Sequence, residues 1–137
     1  MNAPKENQYL LLFRGSDWYN TVSAEELQQA MNRFKDWFDR LSESGVLKGA
    51  QPLVPAGKIV SGKQGRVVAD GPFAESKEAI GGYFLLAVNS LDEAVRLAQG
   101  CPALEYGAQV EVRPVAEECP MAARARQLQP EEQAVAA

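Results

Sequence analysis

A chain of 137 residues can bury one core without disulfides or a structural metal, so a single domain is expected. Fourteen Lys and Arg against 18 Asp and Glu leave a net charge of −4, which argues against nucleic acid and anionic membrane as partners. With no histidine in the chain, neither a Ser-His-Asp or Cys-His nucleophile nor an H-E-x-x-H metal motif can be assembled.

The opening "MNAPKENQ" is polar, and no stretch approaches the roughly 18 apolar residues of a membrane span. A cytoplasmic protein is therefore expected. Next, "YLLLF" (9–13) is short and apolar and is followed by Gly15, which fits a buried strand. From Ser23 the period changes: Leu27, Met31, Phe34, Phe38 and Leu41 recur at helical spacing. Ser23 and Glu26 form an S-x-x-E capping box, and Gly45 supplies a left-handed stop.

Gly49, Pro52, Pro55 and Gly57 interrupt any regular element over 46–70, where only a hairpin is predicted, "KIVS" and "RVVAD" flanking "GKQG". Residues 57–63 match most of a G-x-x-x-x-G-K-[ST] phosphate loop. Gln64 replaces the metal-binding hydroxyl, however, and the chain continues as a strand where a helix is needed. No nucleotide, metal or other cofactor is expected. "GYFLLAV" then reads as a central strand.

A second helix opens on the Ser90 and Glu93 capping box, carries Leu91, Ala94, Val95 and Ala98, and ends at Gly100 and Pro102. Cys101 follows it, where the helix dipole opposes thiolate formation; Cys101 and Cys119 are both read as thiols. "AQVEVRPV" alternates as a half-buried strand and stops at Pro114. The α+β domain is set at 1–115, and 116–137 as a peripheral or partly disordered tail with a short helical turn around Met121 to Leu128.

This order predicts an α+β, ferredoxin-like split βαβ arrangement with an inserted β-hairpin and two helices on one sheet face. The other face would expose alternate apolar residues of both central strands, and pairing of two such faces in a homodimer would cover them.

The segments "YLLLF", "SAEEL", "SGVLKGAQPL", "GRVVADGPFAESKEAIGGYFLL", "SLDEAVRLAQGCP" and "VEVRPV", spanning about 8–115, resemble the YCII-related family and specifically its DGPF subgroup. The resemblance implies a dimeric α+β barrel of ferredoxin-like protomers. It also implies a His with an Asp as the active site of some members, a pattern from which this histidine-free chain departs. DGPF-type proteins are in some cases encoded beside, or joined to, sigma-factor-like regulators.

Two readings of "ADGPFAES" (69–76) follow. In the structural one, Asp70 accepts backbone amides in an Asx turn, Gly71 takes an unusual dihedral, and Phe73 anchors the core. In the functional one, Asp70 is a catalytic acid or base beside Phe73. Antiparallel pairing of the central strands places Arg14 near Gly81, so Arg14, Asp17, Trp18, Asp70 and Phe73 are the candidate lining of one cleft. The expected occupant is a small polar or anionic molecule. An ion pair of Arg14 with Asp70 or Asp17 is the alternative use of these charges. The alternative function is a non-catalytic dimeric module acting on a regulator protein.

Overall fold

The computed structural model describes residues 7–72 and 78–129. β1 (Asn7–Arg14) leads through a 3-10 turn (Ser16–Asn20) into α1 (Ala24–Glu43) and β2 (Leu47–Pro52). β3 (Lys58–Ser61) and β4 (Val67–Asp70) follow, then β5 (Ile80–Val88), α2 (Leu91–Ala98), a second 3-10 turn (Pro102–Tyr106), β6 (Gln109–Pro114) and α3 (Pro120–Gln127). Among the described residues, no helix is long and apolar enough to cross a membrane.

Pairing makes β1 and β5 the centre of a four-stranded antiparallel sheet of order β2-β5-β1-β6. β1 and β2 each run antiparallel to β5, and β5 and β6 each run antiparallel to β1. Each strand-helix-strand unit therefore spans an intervening strand, the split βαβ arrangement predicted from sequence. Tyr9 lies opposite Leu86, and Leu11 opposite Phe84. All four are buried against the helices, and Leu11 and Leu86 are fully enclosed. Each such leucine contributes about 1.5–3 kcal/mol relative to an exposed one. The intervening Leu10, Leu12, Tyr83 and Leu85 point to the helix-free side and are half-buried.

The predicted stripe of α1 is rotated in the structure. Ala30, Trp37 and Leu41 are its buried residues, with Phe34 and Phe38 flanking them, while Met31 is 55% exposed. Trp37 decides the rotation, because its ring fills the core and its Nε1 donates to the Leu97 carbonyl at 3.1 Å, tying α1 to α2. The Ser23 capping box forms in both directions. At α2, Ser90 accepts from the Glu93 amide, but the Glu93 carboxylate reaches the Asn89 amide.

β2 is an edge strand that sequence reasoning did not commit to; Gly49 and Pro52 mask it, and its register slips between Leu47 and Gly49. The predicted hairpin is present as β3 and β4, a separate two-stranded sheet. Lys63–Gly65 make a tight turn into β4, so the phosphate-loop-like residues meet a strand and not a helix. Ile59, Val60, Val67 and Val68 on this hairpin are exposed.

Candidate functional site

Gly15, at a left-handed φ of 68°, turns the chain sharply after β1, so that the following 3-10 turn carries Ser16, Trp18 and Tyr19 back over the end of the sheet. Ser16 Oγ donates to the Phe13 carbonyl at 3.4 Å. Trp18 stacks on Tyr106, with centroids 4.7 Å apart and planes 13° from parallel. The Tyr106 hydroxyl accepts from Arg33 of α1 at 2.7 Å, which links this aromatic pair to the first helix.

Between this turn, α1 and the start of β5 lies a cavity of about 480 Å³, within the range of small-molecule sites. Phe13, Phe34, Phe38, Phe84, Trp18 and Tyr19 line it together with Ser16, Gln51, Tyr83 and the glycine pair Gly81 and Gly82. Phe13 packs edge-on against Phe84 at 4.9 Å, and Phe38 packs against Phe84 at 5.6 Å. Among the described residues, no charged side chain lines it. A contiguous apolar groove shares Trp18, Tyr19 and Phe34 and continues over Leu27, Ala30 and Met31.

The glycine pair has a steric origin. A Cβ on Gly82 would come within 2.8 Å of the Gln51 carbonyl oxygen of β2, and one on Gly81 would overlap Ser16 Oγ and Cβ. The pair thus lets β2 and the aromatic turn close on the start of β5.

The structure separates the residues that the sequence assigned to one cleft. Trp18 lines the aromatic cavity, and Asp17 lines a small recess of about 70 Å³ that shares Ser16, Tyr19 and Gly81 with it. Arg14 pairs with Glu111 of β6, not with Asp70 or Asp17. By strand alternation Arg14 and Glu111 lie on the helix-free side, because their neighbours Phe13, Val110 and Val112 pack into the core. Asp70 ends β4, is exposed, and pairs with Lys58 across the hairpin. At this end the Gly71 amide donates to the Gly57 carbonyl at 3.1 Å, and the amides of 73–77 that an Asx turn would use lie outside the described residues. Gly71 does take an unusual dihedral, φ 149°. Phe73 lies outside the described residues.

An exposed ion pair contributes at most about 1 kcal/mol. Asp70→Ala and Asp70→Asn should therefore each shift stability by less than about 1 kcal/mol in urea unfolding. A larger loss in either would contradict the exposed hairpin pair.

Glu111 is held below the ordinary carboxylate range, first by the hydrogen bond from Arg113 and then by Arg14. A lowered folded value stabilises the protein above the unfolded glutamate pKa of about 4.3. That contribution is lost as pH falls through the folded value. Wild type should therefore be more stable than Glu111→Gln at pH 7, and the gap should close on acidification; a gap independent of pH would exclude this charge network.

Residues 8–119 match the YCII-related domain family. The chain belongs to the YCII-related family. An uncharacterized protein of Rhizobium meliloti (strain 1021) is 35% identical to this YCII-family chain over 98 residues, covering 69% of this chain and 79% of that protein. Among solved structures, the 5-chloro-2-hydroxyhydroquinone dehydrochlorinase of Burkholderia phenoliruptrix AC1100, in complex with 2,5-dihydroxybenzoquinone, aligns with a TM-score of 0.49. It is 12% identical, with 81% of this chain and 95% of that chain covered.

Sequence reasoning missed the aromatic cavity of this YCII-family protein because its walls come from segments far apart in the chain. Phe34 and Phe38 read as the apolar stripe of a helix, and Trp18 as the wall of a cleft shared with Arg14 and Asp70. The one local signal was the glycine pair 81–82 at the head of an otherwise apolar strand.

Proposed function

We propose that this YCII-family protein binds a small, neutral, largely aromatic molecule in the cavity between β1, β5 and α1. The observation that carries this reading is the lining: rings dominate it, and among the described residues no lysine, arginine, aspartate or glutamate lines it. Placing a bare anion there would forfeit its hydration without a compensating cation. Ring faces and edges instead favour a planar apolar guest. Ser16 and Tyr19 bring the polar groups that could orient a hydroxyl or carbonyl on that guest. This replaces the polar or anionic occupant expected near Arg14 and Asp70, since those two residues take other partners.

The block from Asp70 to Glu78 together with Gly81 and Gly82 supports placement in the DGPF subgroup. The half-buried apolar band of Leu10, Leu12, Tyr83 and Leu85 on the helix-free side supports a homodimer formed through that face. Sedimentation at micromolar concentration should show dimers or larger assemblies, and a stable monomer would exclude that interface.

The ligand reading is tested by titrating N-phenyl-1-naphthylamine, a neutral fluorescent aromatic, into wild type and Trp18→Ala. Saturable binding that weakens about tenfold or more in the variant is expected, because a buried aromatic contact of this kind is worth about 2 kcal/mol. Absence of saturation, or equal affinity in the variant, would refute it.

A further inference from the structure

We infer that the apolar groove over the first half of α1 is the docking site for α3 of a second copy of this chain, which closes the outer end of the aromatic cavity. Among the described residues, two surfaces lack a counterpart. On α3, Met121 is 78% and Leu128 is 63% exposed, and no residue of that helix is buried. Met121, Arg124, Ala125 and Leu128 fall at i, i+3, i+4 and i+7, one continuous face of the helix. On α1, Leu27, Ala30, Met31 and Phe34 repeat that same spacing along the groove, with Trp18 as its side wall. Each set spans seven helical steps, about 10 Å, so the groove and the apolar face of α3 are of equal length.

Charge fixes the pairing. Among the described residues, the side chains of Asp17 and Arg124 have no hydrogen-bond or ion-pair partner, and Asp17 is only half exposed beside Tyr19. A docked α3 brings the one basic residue of its apolar face, Arg124, to this carboxylate and to the Trp18 and Tyr19 rings, both favourable neighbours for a guanidinium. α3 of the same chain is poorly placed to do this. Val115 is bonded to Gln8 at the start of β1, whereas Asp17 follows its end, about 20 Å along the strand. Residues 116–119 span at most about 14 Å. Drawing them straight would also break the Glu118–Arg126 pair that folds the linker back onto α3. A second copy requires no such stretch, and reciprocal exchange satisfies both copies in a two-fold pair distinct from the one through the helix-free face. As a means of closing the cavity the inference rests on the ligand reading above, whereas the docking itself does not.

The test mixes two full-length proteins, both carrying Cys119→Ser, one with Met31→Cys and the other with Met121→Cys. Both new thiols replace exposed side chains, and circular dichroism checks that folding is retained. Oxidation of the mixture should give a disulfide-linked heterodimer that neither protein forms alone. Asp17→Arg in the first protein should lower its yield about threefold, and Arg124→Asp in the second should restore it, as expected of an exposed charge pair. No cross-link between copies would overturn the inference, as would a chain carrying both cysteines that closes only on itself. N-phenyl-1-naphthylamine titration of the same proteins separates the two readings: cross-linking without probe binding upholds docking and rejects the ligand, and probe binding without cross-linking does the reverse.

Discussion

Phe84→Ala should cost about 3–5 kcal/mol of stability in urea unfolding, the range for a large buried aromatic. Phe84 is 5% exposed at the centre of β5. Its ring stacks on Trp37 at 5.2 Å and meets Phe13, Phe34 and Phe38 at 4.9, 6.0 and 5.6 Å. Truncation therefore removes the common partner of four rings and joins a new void to the cavity above, which the surrounding sheet cannot collapse to fill. Phe84→Leu should recover most of the loss, leaving less than about 1.5 kcal/mol, because volume is nearly restored. A loss below about 1 kcal/mol for the alanine variant would mean that these rings do not organise the core.

Gly82→Ala should destabilise by about 1–3 kcal/mol, the usual cost of overpacking. The obstacle is main chain: the new methyl would sit 2.8 Å from the Gln51 carbonyl and 3.3 Å from Pro52 Cα, so β2 and β5 must part locally. Gly81→Ala should cost a similar amount for a different reason, since it collides with the side chain of Ser16. The difference gives a rescue experiment. Adding Ser16→Gly to Gly81→Ala should restore much of the lost stability, whereas no side-chain removal at Gln51 should rescue Gly82→Ala. Both glycine variants should also weaken aromatic-probe binding, because Gly81, Gly82 and Ser16 all line the cavity. Unchanged stability in both single variants would show that the turn and β2 close on β5 less tightly than observed.

The fold was legible where local chemistry and tertiary structure agree. The short apolar runs "YLLLF" and "GYFLLAV", the Ser23 and Ser90 caps and the "GKQG" hairpin each specify one local outcome, and the structure contains those outcomes. β2 was not legible, because Gly49 and Pro52 lower its strand propensity and only pairing with β5 makes it a strand. The α1 stripe was misread by about one position, since Trp37 gains both burial and a hydrogen bond to Leu97, a partner sixty residues away. The site was the least legible part. Arg14 and Asp70 carry charges that suggest a pair, yet nearer strand neighbours, Glu111 and Lys58, satisfy them first. Sequence shows which charges exist but not which of several opposite charges lies across the ladder.

The central claim, that a neutral aromatic guest occupies the ring-lined cavity on the helix side of the sheet, is tested most directly by contacts between bound N-phenyl-1-naphthylamine and assigned side-chain protons in NMR. The account predicts nuclear Overhauser contacts from the probe to the rings of Trp18, Phe34 and Phe84. Contacts confined to Leu10, Leu12 and Leu85 on the helix-free face, with none to those three rings, would contradict it.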